Sequence, residues 1–513
     1  MECGGVRAGC TRWNGAVHPP LSAPSLRNRT AAVAAGTLGC GAVLRQCPFK
    51  SPPGSSSSET PLRSHTSCSS TASVLHPLPP RSVPLSHRGF SPPCRPLACC
   101  PPPRPPPLCH APPQSTMGDH HASPVKALMT PYMLGDLPLP NRMVLPPLTR
   151  GRSSDDHIPN TDLMGTYYSQ RASAGLLISE GTFVSPAAIG WPAAPEVYSD
   201  KAVAAWRGVT DAVHAAGGRI FCQLWHTGRA SHSSFRADGS CGVAPSAVAI
   251  RDDGGIHVPG GGKAPHEVPH AMTVEEIQAT VGDYVAAAQN ALAAGFDGVE
   301  VHSANGYLLD SFLQTGTNRR TDEYGAGSLD SRFRFLREVV TAVTAVVPAN
   351  RVGVRLSPNG VFNDQGSPDF REAFPYFASQ LDAFGLAYLH VMDGLAFGFH
   401  KLGEPLTLAD FRAVFKGPIM ANCGYTAESG EEAIASGSAD LISYGRPWIS
   451  NPDLPRRFAE GLPLNADASM ATWYSPGPEG YTDYPTVDEA GAGTKTEPTV
   501  EAAEGDAKGV KAL

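Results

Sequence analysis

His302, Asn305 and Tyr307 stand within six positions of one another in the segment HSANGYLLDSFLQTGTNRRTDEYGAGSLDSRFRF. A histidine and an asparagine so placed can both donate hydrogen bonds to one carbonyl oxygen as negative charge develops on it. A tyrosine hydroxyl beside them offers a proton from another side. Each residue alone has a plainer use, the histidine capping a strand and the tyrosine packing with Leu308 and Leu309 in a core. Together, at a strand-to-helix turn, they favour a site that polarises an oxygen and protonates a nearby atom.

Such a site needs a frame that holds a strand end still, and the rest of the chain supplies one. Eight short apolar runs recur from Pro131 onward: 143–148, 175–181, 219–226, 298–306, 351–358, 388–394, 417–424 and 440–446. Between them, stretches such as AVAAWRGVTDAVHAAG and VEEIQATVGDYVAAAQNALAAG repeat apolar residues every three or four positions and stop at Gly217 and Gly295, the pattern of amphipathic helices with glycine ends. Eight βα units predict an α/β fold, a single (β/α)8 TIM barrel. An open doubly wound sheet would run its first strand into a Gly-rich phosphate turn, whereas here it runs into PPLT. The long Gly/Pro/His-rich insertion from Cys241 to Met272 follows the third strand and is expected to act as a lid.

In a barrel, polar side chains at strand carboxyl ends carry the chemistry. Thr149 and Arg150, then Gln223, Trp225 and His226, the His302 cluster, Arg355 and Arg446 all fall at such ends. Strands seven and eight end in CGYT and YGRPW. Glycines there let backbone approach a ligand, and the Arg446 fork suits a phosphate, against the plainer use of an arginine at a helix carboxyl end.

Residues 1–116 differ in kind. They hold 11 of the 40 basic residues and two of the 47 acidic ones, with dense Pro and Ser, so the remainder keeps 29 against 45 and a formal charge of −16. That balance argues against a nucleic-acid partner. Nine of the twelve cysteines also lie in the extension, leaving Cys222, Cys241 and Cys423, too scattered for a disulfide framework or a metal site. No apolar run has the length of a membrane helix. The predicted organisation is a disordered extension at 1–116, a barrel at 117–485 and a disordered tail at 486–513. The extension has the composition of a plastid transit peptide, and the competing reading is a gene model extended upstream of a start at Met117. A plastid location follows in the first case and a cytoplasmic one in the second.

The segments NRMVLPPLTRGR, ISEGTFVSP, FCQLWHTGRAS, the His302 segment, VGVRLSP and YGRPWISNPDLPRRFAEGLPLN resemble old yellow enzymes in the same order and at similar spacing, over about residues 131–485. The resemblance implies an FMN-binding barrel of the classical branch, similar to oxophytodienoate and N-ethylmaleimide reductases, that reduces enones and nitroalkenes with NADPH. It implies that Pro147, Leu148 and Thr149 line the flavin, that Gly181 and Gln223 hold the ring edge, and that Arg355 lies beside its pyrimidine end. Cys423, Gly424, Gly445 and Arg446 match the phosphate-binding turn. His302 and Asn305 match the pair that grips the substrate oxygen, Tyr307 the proton donor, and Trp225 and Tyr481 the aromatic walls of the substrate pocket. The expected partner is a small-molecule enone or nitroalkene, and the expected assembly a monomer or homodimer.

The chain departs from the family at strand seven, where Asn422 and Cys423 stand before Gly424 in place of two small residues. The relatives that carry an iron–sulfur cluster need cysteines after the barrel, and no cysteine follows Cys423. Two other readings stay open: a non-flavin barrel lyase or aldolase, which would call for a Schiff-base lysine or a metal-binding carboxylate set, and a flavin-binding protein without activity.

Overall fold

All eight apolar runs become parallel strands in the computed structural model, which describes residues 125–252 and 254–492. They are β1 (Met143–Leu145), β2 (Leu176–Ile178), β3 (Ile220–Trp225), β4 (Gly298–His302), β5 (Val352–Leu356), β6 (Tyr388–Met392), β7 (Ile419–Asn422) and β8 (Leu441–Ser443). Each pairs with the next, β8 pairs with β1, and the β3–β4 ladder completes the ring. The sheet is a closed barrel, as the eight βα units predict.

Alternation along the strands sorts side chains between two cores. Outward residues such as Val299, Val301, Val352, Val354, Leu389 and Val391 pack against the helices. Inward residues nearer the amino ends, including Val144, Phe221, Tyr388, Met420 and Leu441, form a separate apolar cluster. The helices obey their periodicity. The helix Asp200–Ala215 buries Ala202, Trp206, Val209, Thr210 and Val213 on one stripe and gives way to Gly217 at φ +83°. Val274–Ala293 starts with a Thr273/Glu276 capping box and is followed by Gly295 at φ +89°. Each fully buried large apolar side chain contributes about 1.5–3 kcal/mol.

A hairpin not expected from the sequence precedes β1. Tyr132–Leu134 and Leu137–Leu139 pair across a two-residue turn with Gly135 at φ +61°, and Leu134, Leu137 and Leu139 join the inner cluster. It plugs the amino end of the barrel, which leaves the opposite end for ligands.

The insertion folds as two small sheets, Val243–Ala244 beside His270–Ala271 and Ile256–His257 beside Lys263–Ala264. At the other end, residues 487–492 form a short helix rather than part of a structureless tail. Glu489 accepts from the Thr486 N–H at 2.8 Å, and Arg456 pairs with Asp488 at 2.9 Å. The fold therefore continues past the expected boundary at 485, because the Thr486–Glu489 pair caps a new helix. The expected transit segment at 1–116 lies outside the described residues. No described helix is long and apolar enough to cross a membrane.

Candidate active site

Strand register decides which side chains meet above the apolar plug. β4 and β5 pair with His302 opposite Arg355, and β5 and β6 pair with Arg355 opposite His390. At this end lies a cavity of about 320 Å³, within the range of small-ligand sites. Its lining includes Pro147, Leu148 and Thr149 after β1, Arg355, Cys423 and Gly424 after β7, and Gly445 and Arg446 after β8. Asn305 reaches the same space. No Asp, Glu or Lys is among the lining residues, so the cavity suits an anion and holds no lysine for a Schiff base. Arg446 is exposed, stacks over the Phe397 ring at 5.2 Å and pairs with no carboxylate among the described residues.

The turn after β4 is built to deliver side chains. Asn305 and Gly306 both take positive φ, at 61° and 70°, a conformation asparagine tolerates better than most residues. Ser357 Oγ accepts the Asn305 N–H at 2.7 Å, and Asp310 accepts the Gly306 N–H at 2.8 Å. Tyr307 then caps the short helix Leu308–Leu313. Its ring lies 5.1 Å from His302 and 5.0 Å from Trp225, while Trp225 and His302 are 6.4 Å apart. These three rings are not part of the cavity lining, but Tyr307 meets the lining residue Phe362 at 6.4 Å.

Burial sets the protonation states. It pushes the Tyr307 phenol far up, so the hydroxyl keeps its proton. It pushes His302 well below the ordinary imidazole value, with Arg355 and His390 adding to the effect, so the ring is neutral. His302 Nδ1, Trp225 Nε1 and Arg355 Nε are all buried without a hydrogen-bond partner. Each such atom costs about 1–3 kcal/mol, which is expected where a bound group supplies the missing partners.

At the strand-seven departure the backbone takes a conformation that cysteine adopts only under strain. Cys423 sits at φ +89° and Gly424 at φ +98°, in the left-handed region that favours glycine. A Cβ on Gly394 would stand 1.5 Å from the Cys423 carbonyl oxygen, so this turn packs tightly against the end of β6. Asn422, expected only as a departure, braces Arg355: its Oδ1 accepts from Arg355 Nη2 at 2.9 Å, and its Nδ2 donates to Ser443 Oγ at 2.7 Å.

Other expected site residues fall elsewhere. Gly181 and Gln223 are buried but do not line the cavity. A Cβ at Gly181 would stand 2.5 Å from the Trp225 ring, a packing reason for glycine there. Gln223 gives its amide N–H to Glu300. Tyr481 is not a pocket wall. It is fully buried, stacks on Tyr167 at 4.1 Å and lies under the Arg150 and Arg152 guanidinium groups. The aromatic residues that this segment gives to the lining are Trp473 and Tyr474, held by Arg150 and Arg152, which both donate to the Trp473 carbonyl. No local pattern marks these two rings, nor Phe362 and Phe397 opposite. The insertion at 241–272 contributes no lining residue. It meets the rim through Trp191, whose ring lies 5.1 Å from His257 and 5.2 Å from Tyr474.

Comparison with known proteins agrees with this geometry. The profile of the NADH:flavin oxidoreductase / NADH oxidase family matches residues 127–465. The chain belongs to this family, the old yellow enzymes. It is 44% identical over 365 residues to a probable flavin mononucleotide-dependent alkene reductase of Leishmania infantum, covering 70% of this chain and 98% of the relative. It is 42% identical to 12-oxophytodienoate reductase 1 of Oryza sativa subsp. japonica, covering 72% of this chain and 95% of the relative. Among solved structures, an old yellow enzyme homologue from Zymomonas mobilis shares 44% identity with a TM-score of 0.67, covering 70% of this chain and 99% of that one. Morphinone reductase shares 42% identity with a TM-score of 0.66, over 72% and 98%.

The residues of this old yellow enzyme fit FMN. The orphaned Arg355 Nε and the apolar Pro147–Leu148 edge suit a flavin ring, and the unpaired Arg446 beside the Cys423–Gly424 turn suits its phosphate.

Proposed function

We propose that this chain is an FMN-dependent ene-reductase. It takes hydride from NADPH and adds it to the β-carbon of an α,β-unsaturated carbonyl compound or nitroalkene, with Tyr307 protonating the α-carbon. The reading rests on one observation: a neutral buried His302 and a protonated Tyr307 touch each other beside a cavity that Asn305 and Arg355 line. Alkene reductase and 12-oxophytodienoate reductase relatives support the substrate class. Morphinone reductase in complex with tetrahydroNAD supports a nicotinamide as hydride donor.

FMN bound in the cavity would supply the hydride. The protein's own groups do the rest. His302, neutral, and the Asn305 amide each donate a hydrogen bond to the substrate's carbonyl or nitro oxygen, and the bonds strengthen as that oxygen gains charge. The Tyr307 hydroxyl gives its proton to the α-carbon, which balances the added hydride. Trp225 and Phe362 flank Tyr307.

A visible spectrum of the purified protein tests the reading, taken before and after anaerobic NADPH and then cyclohexenone. Bleaching of a flavin band by NADPH and its return with the enone is the expected result. A protein that stays colourless after added FMN overturns it.

A further inference from the structure

Beneath the cavity, one residue from each of six strands joins a continuous chain of buried hydrogen bonds. Gln223 Nε2 donates to Glu300 Oε1 at 2.8 Å, and Glu300 Oε2 lies 2.8 Å from His390 Nδ1. His390 Nε2 is 3.0 Å from Ser443 Oγ, which accepts from Asn422 Nδ2. Asn422 in turn accepts from Arg355, the cation that lines the cavity.

A carboxylate at 0% exposure is costly to keep in a barrel core unless it is paired. Burial pushes His390 below its ordinary value, so the ring is neutral and its Nδ1–H donates to Glu300. Burial alone would raise the Glu300 carboxyl, but His390, Arg355 and the Gln223 amide outweigh it and hold it below the usual range. Glu300 therefore stays ionised and is a buried counter-charge to Arg355. None of the steps proposed above uses either residue.

We propose that Glu300 and His390 are positioning residues: through Ser443 and Asn422 they orient Arg355, and the Glu300 charge sets the field that the flavin ring feels, and so its reduction potential. The inference rests on FMN occupying the cavity.

The full-length protein is first checked for a flavin band; a colourless wild type defeats the flavin reading itself rather than this one. In a yellow protein, Glu300→Gln removes the buried negative charge and keeps an acceptor for Gln223. Arg355 is then uncompensated, and binding of the reduced over the oxidised ring improves about tenfold, a rise of about 30 mV in the two-electron midpoint potential. A folded, yellow E300Q protein with the wild-type potential overturns the proposal. Glu300→Asp keeps the charge but is too short to reach both Gln223 and His390. It is expected to weaken FMN about tenfold with little change in potential. If E300Q does not fold, an E300D protein with wild-type FMN affinity overturns the proposal in its place.

Discussion

The Tyr307 and His302 rings meet edge to face, with centroids 5.1 Å apart and planes at 68°. The two residues are five positions apart, yet one ends a strand and the other caps the next helix, so their polar atoms approach a shared space from different directions. That arrangement separates an oxygen-binding group from a proton donor, and the separation can be tested.

Tyr307→Phe removes the hydroxyl and keeps the ring that packs on Trp225. Reduction of the flavin by NADPH is expected to stay near wild type, while reoxidation by cyclohexenone slows by about 10²-fold or more. Stopped-flow measurement of the two half-reactions decides it, and equal slowing of both would remove Tyr307 from the proton-donor role.

Replacing His302 and Asn305 together by alanine leaves an anionic oxygen without its two donors. Phenolate ligands titrated against the oxidised protein should then bind at least about a hundredfold more weakly, since each of the two hydrogen bonds to a charged group is worth about 1.5–3 kcal/mol. Unchanged affinity would put the oxyanion grip elsewhere.

Glu180 is fully buried, and its Oε2 accepts the N–H groups of Arg150 and Gly151 at 3.1 Å while Oε1 has no partner. Burial raises its pKa from 4.5 to about 7. Because the folded value lies above the unfolded one, its contribution to stability is complete below about pH 4.5 and is lost as pH rises through about 7, a loss of about 3 kcal/mol. Glu180→Gln keeps the acceptor and removes the titration. Thermal melts of E180Q should fall less steeply than wild type between about pH 5 and about pH 8; parallel curves would show that Glu180 is ionised throughout.

Gly394 and Cys423 give a pair of opposite expectations. Gly394→Ala drives a Cβ into the Cys423 carbonyl and should cost about 3 kcal/mol, with loss of bound FMN. Cys423→Gly places glycine at φ +89°, where relief of strain roughly offsets the added chain entropy, each about 1 kcal/mol. Its melting temperature should stay within about 3 °C of wild type with the yellow colour retained. A colourless C423G protein would mean that the thiol itself contacts the cofactor.

The sequence by itself determined the barrel and the residues that end its strands. Each strand is a local apolar run, each helix a local periodicity with a glycine stop, and eight such units in series close in one way. His302, Asn305 and Tyr307 were legible for the same reason, since a strand-to-helix turn holds residues a few positions apart together whatever the rest of the chain does.

Only the tertiary structure decided which distant residues meet. Tyr481 and Tyr474 lie in one loop with similar surroundings in sequence, and the buried Arg150 and Arg152 turn the first onto Tyr167 and the second into the cavity. The insertion after β3 carries two small sheets and gives no residue to the cavity lining, neither of which its length and composition set. The Glu300–His390–Ser443–Asn422–Arg355 chain depends on strand register, which a single-residue slip would reverse by sending every side chain to the other face. Glu300 and His390 lie in the middle of their strands, not at the carboxyl ends where polar residues were expected. Which polar residues would touch was set by the closure of the ring, a property no local stretch of sequence carries.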